Sequence, residues 1–400
     1  MKLFTPSVKT QRTRRDLLKL ATLLTTAGAL PLLAQHRQAL AAKTDQPLRI
    51  GYLPITDATP LLVAHNNGLF QQQGLNVEKP RLFRSWAQLV EAFLSGQVNA
   101  VHLLSPMTIW ARYASKAPVK VVAWNHMSGS GLTVAPNIAK TTDLGGTTVA
   151  IPFWYSIHNV VLQQILQRAG LEPVIDGTPG PQQVKLVVMA PSDMLPAIAN
   201  RQISGYIVAE PFNAAAEALG VGKVHRFTGD VWKDHACCVV LMHENDTVER
   251  PEWTQKVVNA VVGAQAWIQQ NREETARILS KGHAQQYTPH TADTLARVLV
   301  PAQFDRQAYE RSGALINTGW NTQRIDFQPY PFAAYTEALI THLKTTRVAG
   351  QNDFLNTLEP AFAASDLVDA RFARAAIDQL GGPSVFGLPD SYERTEVIAA

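Results

Sequence analysis

Three segments between residues 184 and 238 decide the fold. They read VKLVVMAPSDML (184–195), GYIVAEPFN (205–213) and VWKDHACC (231–238). The first two begin as short apolar runs, and each run gives way to residues that favour the start of a helix. The order strand, helix, strand, helix, strand predicts an α/β unit with a mainly parallel sheet.

The composition indicates a globular protein of two lobes. The chain has 400 residues and 46% of them are hydrophobic, which is enough to bury a large core. The formal net charge is only +4, and several Lys and Arg residues fall within the first 20 positions. This charge balance excludes the basic surface expected of a nucleic-acid-binding protein.

Residues 1–41 have the pattern of an export signal. Basic residues precede an uncharged apolar run from Leu20 to Ala34, and small residues follow it up to Ala41. The pair Arg14-Arg15 is typical of twin-arginine signals, which export folded proteins. A membrane anchor is the alternative, but the run is shorter than the roughly 20 residues that span a bilayer. We therefore predict cleavage after residue 41 or 42 and a periplasmic mature chain.

The remaining chain divides into two lobes. Strands alternate with helices over residues 46–136, and the alternation starts again over 137–236. Residues 237–400 begin with a returning strand and continue as helices. We predict an α/β fold in which the second lobe is inserted into the first and the helical tail packs on lobe one. Small ligands bind in clefts between such lobes, so the sequence predicts a binding protein that closes like a hinge.

Element boundaries follow from apolar periodicity and from the positions of glycine and proline. The predicted strands are Pro47–Pro54, Leu75–Phe83, Val98–Leu104, Val119–Trp124, Thr147–Phe153, Val184–Met189, Gly205–Ala209 and Cys238–Met242. The predicted helices are Thr59–Asn67, Trp86–Leu94, Ser156–Arg168, Ser192–Ala199, Phe212–Leu219, Glu252–Gln270, Arg272–Lys281, Thr291–Leu299, Pro331–Leu343 and Ala370–Leu380. Apolar i, i+4 pairs in Glu252–Gln270 predict one buried face.

Polar side chains at strand ends are the candidate ligand contacts. Thr56 and Asp57 follow the first strand and Ser105 follows the third, where side chains point into a cleft; helix capping is the alternative for each. Trp86 opens a helix and either closes over a ligand or packs between lobes. Glu210 ends a strand and either contacts a ligand amine, caps the next helix or holds the hinge.

A histidine and two cysteines are further candidates. His158 lies at a helix start, where free N–H groups and partial positive charge favour an anion; capping is again the alternative. Cys237 and Cys238 are the only cysteines, and neighbours cannot build a disulfide framework. They enter a strand as small hydrophobic residues, or they form a vicinal disulfide or line a site.

Standard catalytic motifs are missing from the sequence. There is no Gly-x-Ser-x-Gly, no His-Glu-x-x-His, no Walker loop and no Gly-x-Gly-x-x-Gly after a strand. This argues against hydrolases, metalloproteases and nucleotide-dependent enzymes. We predict a protein that is not an enzyme, and neither a cofactor nor a metal is assigned.

Several fragments resemble the extracytoplasmic substrate-binding proteins of ABC importers for nitrate, bicarbonate, sulfonates and thiamine pyrimidine precursors. The match is nearest to the nitrate- and bicarbonate-binding branch. It is carried by IGYLPITDATP (50–60), SW (85–86), HLLSPM (102–107), YSIHN (155–159), VVMAP (187–191) and GYIVAEPFN (205–213). The resemblance implies the type II periplasmic-binding-protein fold, a small-molecule ligand, a cognate permease and ATPase as partners, and a monomer. It also implies that Trp86 and His158 help to enclose a small planar anion.

Two positions depart from that branch. Ser130 stands where the branch has a glutamine, and Cys238 stands where nitrate binders have a lysine and bicarbonate binders a carboxylate. A buried nitrate would lack its countercharge, which argues against nitrate. The remaining wall suits a sulfonate, a bicarbonate-like anion or a pyrimidine-like compound. The predicted wall consists of Trp86, His126, Ser130, Trp154, Tyr155, His158, His235 and Cys238.

Two other functions stay open at this point. Thiamine-pyrimidine synthases share the implied fold and have a cysteine-rich run after a histidine, which His235-Ala-Cys-Cys238 resembles. The presence of only two cysteines and the export signal argue against such an enzyme. A periplasmic sensor input protein cannot be separated from an importer subunit by sequence.

Overall fold

The computed structural model describes residues 46–350 and 352–399. The predicted export signal over residues 1–41, with its paired arginines, lies outside these ranges. Within them, no helix combines the length and apolar character needed to cross a membrane.

The first lobe is built on a five-stranded mixed sheet. β1 (Ile50–Tyr52) is parallel to β2 (Arg81–Leu82) and β3 (Ala100–Leu104). β12 (Cys238–His243) lies between β3 and β4 (Val119–Trp124) and runs antiparallel to both. The return of β12 to this sheet confirms that the second lobe is inserted into the first. In spatial order the strands are β2 (Arg81–Leu82), β1 (Ile50–Tyr52), β3 (Ala100–Leu104), β12 (Cys238–His243) and β4 (Val119–Trp124).

The strand predicted over Leu75–Phe83 is wrong in length. Only Arg81–Leu82 forms a strand, and an isolated bridge between Leu48 and Val77 precedes it. Pro80 lies between the bridge and the strand. Because proline has no N–H to give to a ladder, it interrupts pairing at this edge of the sheet.

The second lobe is built on six strands. β10, β7 and β9 are parallel, as the alternating pattern predicts, and β6 is antiparallel to β10 and β11. The edge strand β8 is parallel to β9, but the sequence pattern does not predict it. The sequence pattern does not predict β11, because its polar residues His225 and Arg226 obscure the apolar alternation. β6 begins before residue 137, where the predicted second lobe starts. In spatial order the strands are β11 (Lys223–Phe227), β6 (Ser130–Val134), β10 (Gly205–Ala209), β7 (Thr147–Ile151), β9 (Gln183–Val188) and β8 (Glu172–Val174).

Two crossing segments carry the chain between the sheets. Residues 125–129 lead from β4 to β6, and residues 228–237 lead from β11 back to β12. An isolated antiparallel bridge joins β5 (Met127–Ser128) to Ala236, and β5 also pairs with β13 (Ile325–Asp326). The two crossing segments are therefore held together by backbone pairing.

Helices surround both sheets, and most predicted bounds agree with the structure to within two residues. α9 buries Val257, Val258, Val261 and Val262, which confirms its predicted apolar face. The helices are α1 (Thr59–Asn66), α2 (Leu69–Gln72), α3 (Trp86–Leu94), α4 (Ser105–Ile109), α5 (Ile157–Arg168), α6 (Pro191–Ala199), α7 (Phe212–Leu219), α8 (Glu244–Glu249), α9 (Pro251–Gln270), α10 (Arg272–Leu279), α11 (Ala292–Leu299), α12 (Arg306–Ser312), α13 (Ala333–Leu343), α14 (Phe354–Thr357), α15 (Pro360–Leu367) and α16 (Arg371–Gln379).

The C-terminal region touches both lobes. Its helices pack on the first lobe, as predicted, with α16 against α9 and β4. The last residues instead pair with the returning segment, where the Ala399 N–H donates to the Val231 carbonyl at 2.7 Å. On α5, the Asn159 and Gln163 side-chain amides donate to the Arg347 carbonyl at 3.1 and 2.8 Å. The tail thus fastens the second lobe as well.

Candidate functional site

Four polar side chains meet where the crossing segments pass the first sheet. Asp57 lies in a 3-10 turn directly after β1, and His126 lies on the outgoing crossing segment. Cys237 ends the returning segment, and Cys238 begins β12. All four side chains are fully buried. We call these four residues the Asp57 cluster.

One carboxylate oxygen is the centre of the Asp57 cluster. Asp57 Oδ2 lies 3.0 Å from His126 Nε2, 3.3 Å from Cys237 Sγ and 3.2 Å from Cys238 Sγ. Both cysteines are free thiols rather than a vicinal disulfide. The other carboxylate oxygen, Oδ1, and the other imidazole nitrogen, His126 Nδ1, have no hydrogen-bond partner among the described residues.

Burial and ion pairing oppose each other in the Asp57–His126 pair. Burial raises the pKa of Asp57 to about 6, although the charge of His126 lowers it. Burial lowers the pKa of His126, but attraction to the Asp57 carboxylate outweighs burial and raises this pKa to about 10. The raised pKa of His126 favours its protonated form beside the Asp57 carboxylate, and the Cys238 backbone nitrogen lies 3.3 Å from the same Nε2.

The surroundings shift the pKa values of the two thiols in opposite directions. Burial raises the pKa of Cys237, but hydrogen bonding with Cys238 and the charge of His158 outweigh it and lower this pKa below the ordinary thiol value. Burial, a hydrogen bond with Cys237 and the charge of Asp57 all raise the pKa of Cys238. Cys237 is therefore the more easily formed thiolate, which is the form that binds metals and reacts as a nucleophile.

The second lobe adds two side chains to the edge of the Asp57 cluster. Ser130 opens β6, and His158 lies in the first turn of α5. Ser130 Oγ is 2.9 Å from His158 Nε2 and 3.7 Å from Cys237 Sγ, and His158 Nε2 is 3.9 Å from the same sulfur. Polar groups from both lobes therefore converge on Cys237, as expected for a site in a cleft.

The predicted aromatic side chains have other neighbours or unpartnered polar atoms. The Trp86 ring packs edge-on against His102, with ring centroids 5.4 Å apart. The indole nitrogens of Trp86 and Trp154 and the Tyr155 hydroxyl are buried without hydrogen-bond partners among the described residues. Hydrogen bonds and ring contacts in this part of the chain do not join them to the Asp57 cluster.

Three other predicted residues have structural partners. Thr56 Oγ1 donates to the Glu210 carbonyl at 3.0 Å, and Ser105 Oγ lies 2.8 Å from the Tyr335 hydroxyl. His235 Nε2 lies 2.9 Å from Thr228 Oγ1. The described contacts therefore give these side chains roles in joining segments, and their ligand contacts stay predictions.

Glu210 is held by an ion pair and a helix start. Its carboxylate lies 2.9 Å from the buried Arg324 guanidinium and accepts from the Ala214 N–H at 3.1 Å. The second of these contacts caps the first turn of α7, which is one of the alternatives stated from the sequence. A ligand contact for Glu210 stays a prediction.

Sequence reasoning left Cys237 and His126 out of the ligand-contact set. Side chains alternate along a strand, so only one of two neighbouring cysteines is expected to face a cleft. Cys237 escapes that rule because β12 begins at Cys238. His126 is part of the predicted wall, but only the fold brings it beside Asp57.

Comparison with known families agrees with this architecture. A family model described as the NMT1-like family matches residues 41–281, more than half of the chain. The chain belongs to the NMT1-like family. All four residues of the Asp57 cluster fall within the matched range of this NMT1-like protein.

A curated relative is a binding protein rather than an enzyme. The NMT1-like chain is 25% identical over 255 residues to the "Nitrate/nitrite binding protein NrtA" of a Nostoc species. This match covers 58% of the chain and 56% of the relative. The chain thus spans about half the length of the curated relatives it matches.

Solved structures show the periplasmic-binding-protein fold. The periplasmic nitrate-binding protein NrtA from Synechocystis aligns with a TM-score of 0.69 and 21% identity, over 87% of this NMT1-like chain and 92% of that one. A ligand-binding component of an ABC-type import system from Staphylococcus aureus, solved with zinc bound, aligns with a TM-score of 0.64 and 20% identity, over 83% and 99%. At these identities the two structures show the fold alone, and they confirm the predicted two-lobed α/β architecture.

Proposed function

We propose that this chain is the extracytoplasmic solute-binding component of an ABC importer and captures a small solute between its lobes without changing it chemically. One observation carries the proposal: polar groups of both lobes converge on a fully buried site where the two crossing segments meet. Such a site becomes enclosed when the lobes close, and closure is a signal that a permease can recognise. The proposed partners are a cognate permease and ATPase, and the proposed state is a monomer.

The electrostatics of the site argue against a bare inorganic anion. Asp57 places a carboxylate at its centre, and the charge of His126 is already paired with that carboxylate. A second buried anion would have to share this one countercharge, which costs free energy. The same cost falls on a sulfonate or a bicarbonate-like anion, two of the solute classes predicted from the sequence, and not on a neutral pyrimidine-like compound. All three classes stay predictions.

Calorimetry and small-angle scattering test the capture role. The mature chain, kept reduced, is titrated with nitrate, bicarbonate, taurine, an alkanesulfonate, pyrimidines and divalent metal ions. We expect one class to bind at 1:1 stoichiometry, to change the radius of gyration and to be recovered unchanged by mass spectrometry. A chemically altered ligand would overturn the binding role in favour of an enzyme, and ligand binding without any change in shape would overturn hinge closure.

Reconstitution tests the importer role. The proposed cognate permease and ATPase are placed in proteoliposomes, and ATP hydrolysis is measured with and without the loaded protein. We expect the loaded protein to stimulate hydrolysis and solute uptake. Stimulation of a kinase or receptor instead, with no uptake, would assign the chain to sensing.

We also propose that the chain is exported by its paired arginines. Replacing both Arg14 and Arg15 with lysine is expected to retain the protein in the cytoplasm, while the same exchange at Arg12 is the matched control. Cell fractionation measures the result. Export of the double variant at the level of the control would contradict the twin-arginine route.

A further inference from the structure

The Asp57 cluster contains a set of metal-ligating atoms. It offers a carboxylate oxygen, an imidazole nitrogen and two sulfurs, and these atoms lie within 4.8 Å of one another. They come from three separate stretches of the chain, at residues 57, 126 and 237–238. Only the folded chain brings them together, at the point where both crossing segments pass the first sheet.

The distances from Asp57 Oδ2 to the other three ligand atoms are close to those around a four-coordinate ion, whereas separations within the whole set reach up to 4.8 Å. Zinc bonds of about 2.0–2.3 Å in a tetrahedron place neighbouring ligand atoms roughly 3.3–3.8 Å apart. Asp57 Oδ2 lies 3.0–3.3 Å from its three partner atoms. Outward shifts of a few tenths of an ångström at the side chains would admit an ion at the centre.

Two further buried polar atoms of the Asp57 cluster have no hydrogen-bond partner among the described residues. Asp57 Oδ1 is fully buried and has no hydrogen bond among the described residues, and the same holds for His126 Nδ1. A buried carboxylate beside two thiols lowers the stability of the fold unless positive charge compensates it. His126 supplies one such charge when protonated. A divalent cation would supply two. On binding, the Nε2 proton of His126 and the two thiol protons would pass to solvent, so that Nε2 and both sulfurs coordinate the ion.

We propose that Asp57, His126, Cys237 and Cys238 form a closed binding site for a single thiophilic divalent cation of the zinc class. Two sulfurs and an imidazole nitrogen favour such ions, whereas Mg²⁺ and Ca²⁺ prefer six or more oxygen ligands. Four protein ligands complete a tetrahedron and leave no open position for a reacting substrate. The site therefore holds an ion rather than activating a water molecule.

The position of the site connects the ion to the proposed capture role. Ser130 and His158 of the second lobe lie against Cys237, so the second lobe covers the ion when the lobes are closed. If the chain is a solute-binding component, as proposed above, the bound cation is the solute that it captures. This replaces the anionic or heterocyclic solute predicted from the sequence with a metal ion.

Metal analysis and cobalt spectroscopy test the site. The reduced mature chain is dialysed against Zn²⁺ and analysed for bound metal, and Co²⁺ serves as the spectroscopic probe. We expect one ion per chain, tetrahedral d–d bands and thiolate-to-metal charge-transfer bands. Substitutions Cys237→Ser, Cys238→Ser and Asp57→Asn should each weaken binding by more than the about 10–100-fold that loss of an outer-shell partner costs.

His102→Gln is the matched control. His102 is a fully buried histidine of the first lobe whose Nε2 accepts from the Leu53 N–H at 2.9 Å. We expect this variant to bind Zn²⁺ as the parent chain does. Octahedral cobalt bands without charge transfer would overturn the proposal. Zn²⁺ binding by Cys237→Ser and Cys238→Ser as tight as that of the parent chain would also overturn it.

A measurement on the unmodified chain tests the site even if the variants fail to fold. Zn²⁺ is expected to slow the reaction of both thiols with a maleimide at least about tenfold, since it must leave before either sulfur reacts. Unchanged thiol reactivity at saturating Zn²⁺ would exclude the cluster as the site. Small-angle scattering separates the capture role from the metal site. Closure with another solute, in a chain that binds no metal, would support the capture role and contradict the metal site. Metal binding without closure would support the metal site and contradict capture of the ion by lobe closure.

Discussion

The Asp57 carboxylate lies 3.0 Å from the His126 imidazole, and both side chains are fully buried. The pair joins the turn after β1 to the outgoing crossing segment. The Asn125 side chain also donates to the Asp57 carbonyl, so the outgoing crossing segment contacts this turn twice. The pair therefore links the first sheet to the connection between the lobes.

Double-mutant analysis measures the strength of this pair. Removing one partner leaves an uncompensated buried charge, so His126→Gln is expected to lower the free energy of unfolding by about 3–5 kcal/mol. Asp57→Asn combined with His126→Gln should cost less than the sum of the single changes, because the pair is lost once. Urea unfolding of the metal-free chain gives the three values. Additive costs would show that the two residues do not interact.

Gly129 is expected to tolerate no side chain. A Cβ at this position would lie 2.8 Å from His126 Nδ1, and the residue has φ +76°. Gly129→Ala should therefore lower both the free energy of unfolding, by roughly 1–3 kcal/mol, and the affinity for Zn²⁺. Gly170→Ala is the matched control, since Gly170 has φ +71° and nothing within 4 Å of the added Cβ. Equal losses in the two variants would mean that backbone strain alone accounts for the effect.

The lowered pKa of His102 predicts that the folded chain loses stability in acid. The pKa of His102 is lowered to about 3. Burial is the main cause and the charge of His126 adds to it, whereas Cys237 raises this pKa. Between about pH 6.5 and pH 3 the unfolded chain therefore binds one more proton than the folded chain. Stability from this group is complete above pH 6.5 and falls by about 1.4 kcal/mol per pH unit as the pH drops below that value.

Urea unfolding across this pH window tests the His102 prediction. His102→Gln keeps an acceptor for the Leu53 N–H and removes the titrating group. As the pH falls from about 6.5 to 3, the free energy of unfolding of this variant should decrease less steeply than that of the parent chain. The difference in slope should be the about 1.4 kcal/mol per pH unit that one bound proton contributes. Identical slopes for the two chains would contradict a neutral, buried His102.

Substitutions at two predicted wall residues test whether these side chains contact the solute or only pack in the core. His158→Ala and Trp86→Ala are each expected to weaken solute binding by about 1–3 kcal/mol, through loss of a buried hydrogen bond or an aromatic contact. The control for the tryptophan is Trp253→Ala, since Trp253 stacks under Arg250 on α9. Calorimetry with the compound or ion that binds the parent chain measures each change. Unchanged affinity in both variants would remove His158 and Trp86 from the site.

The fold was largely predictable because its signals are local. α3 and α7 have the predicted bounds, and so do β4 and β10, since each couples an apolar run to a clear stop. β11 escaped because Arg226 is buried through an ion pair with Asp230 at 2.9 Å, a tertiary contact that no local pattern reveals. The short β2 followed from Pro80, whose effect the apolar run over Leu75–Phe83 concealed.

The site was predictable only in part. Asp57, His158 and Cys238 were expected from their places at strand or helix ends, and the structure brings them to one point. That His126 and Cys237 join them depends on the pairing of the crossing segments, which brings distant stretches together. Ligand spacing that spans residues 57 to 238 has no short sequence motif.

Anomalous diffraction at the zinc edge tests the central claim most directly. Crystals of the reduced mature chain are grown with equimolar Zn²⁺, and the anomalous map locates the ion. We predict one strong peak within about 2.0–2.3 Å of Asp57 Oδ2, His126 Nε2 and both cysteine sulfurs. A map with no peak among these four atoms, in a chain whose thiols are reduced, would contradict the metal site.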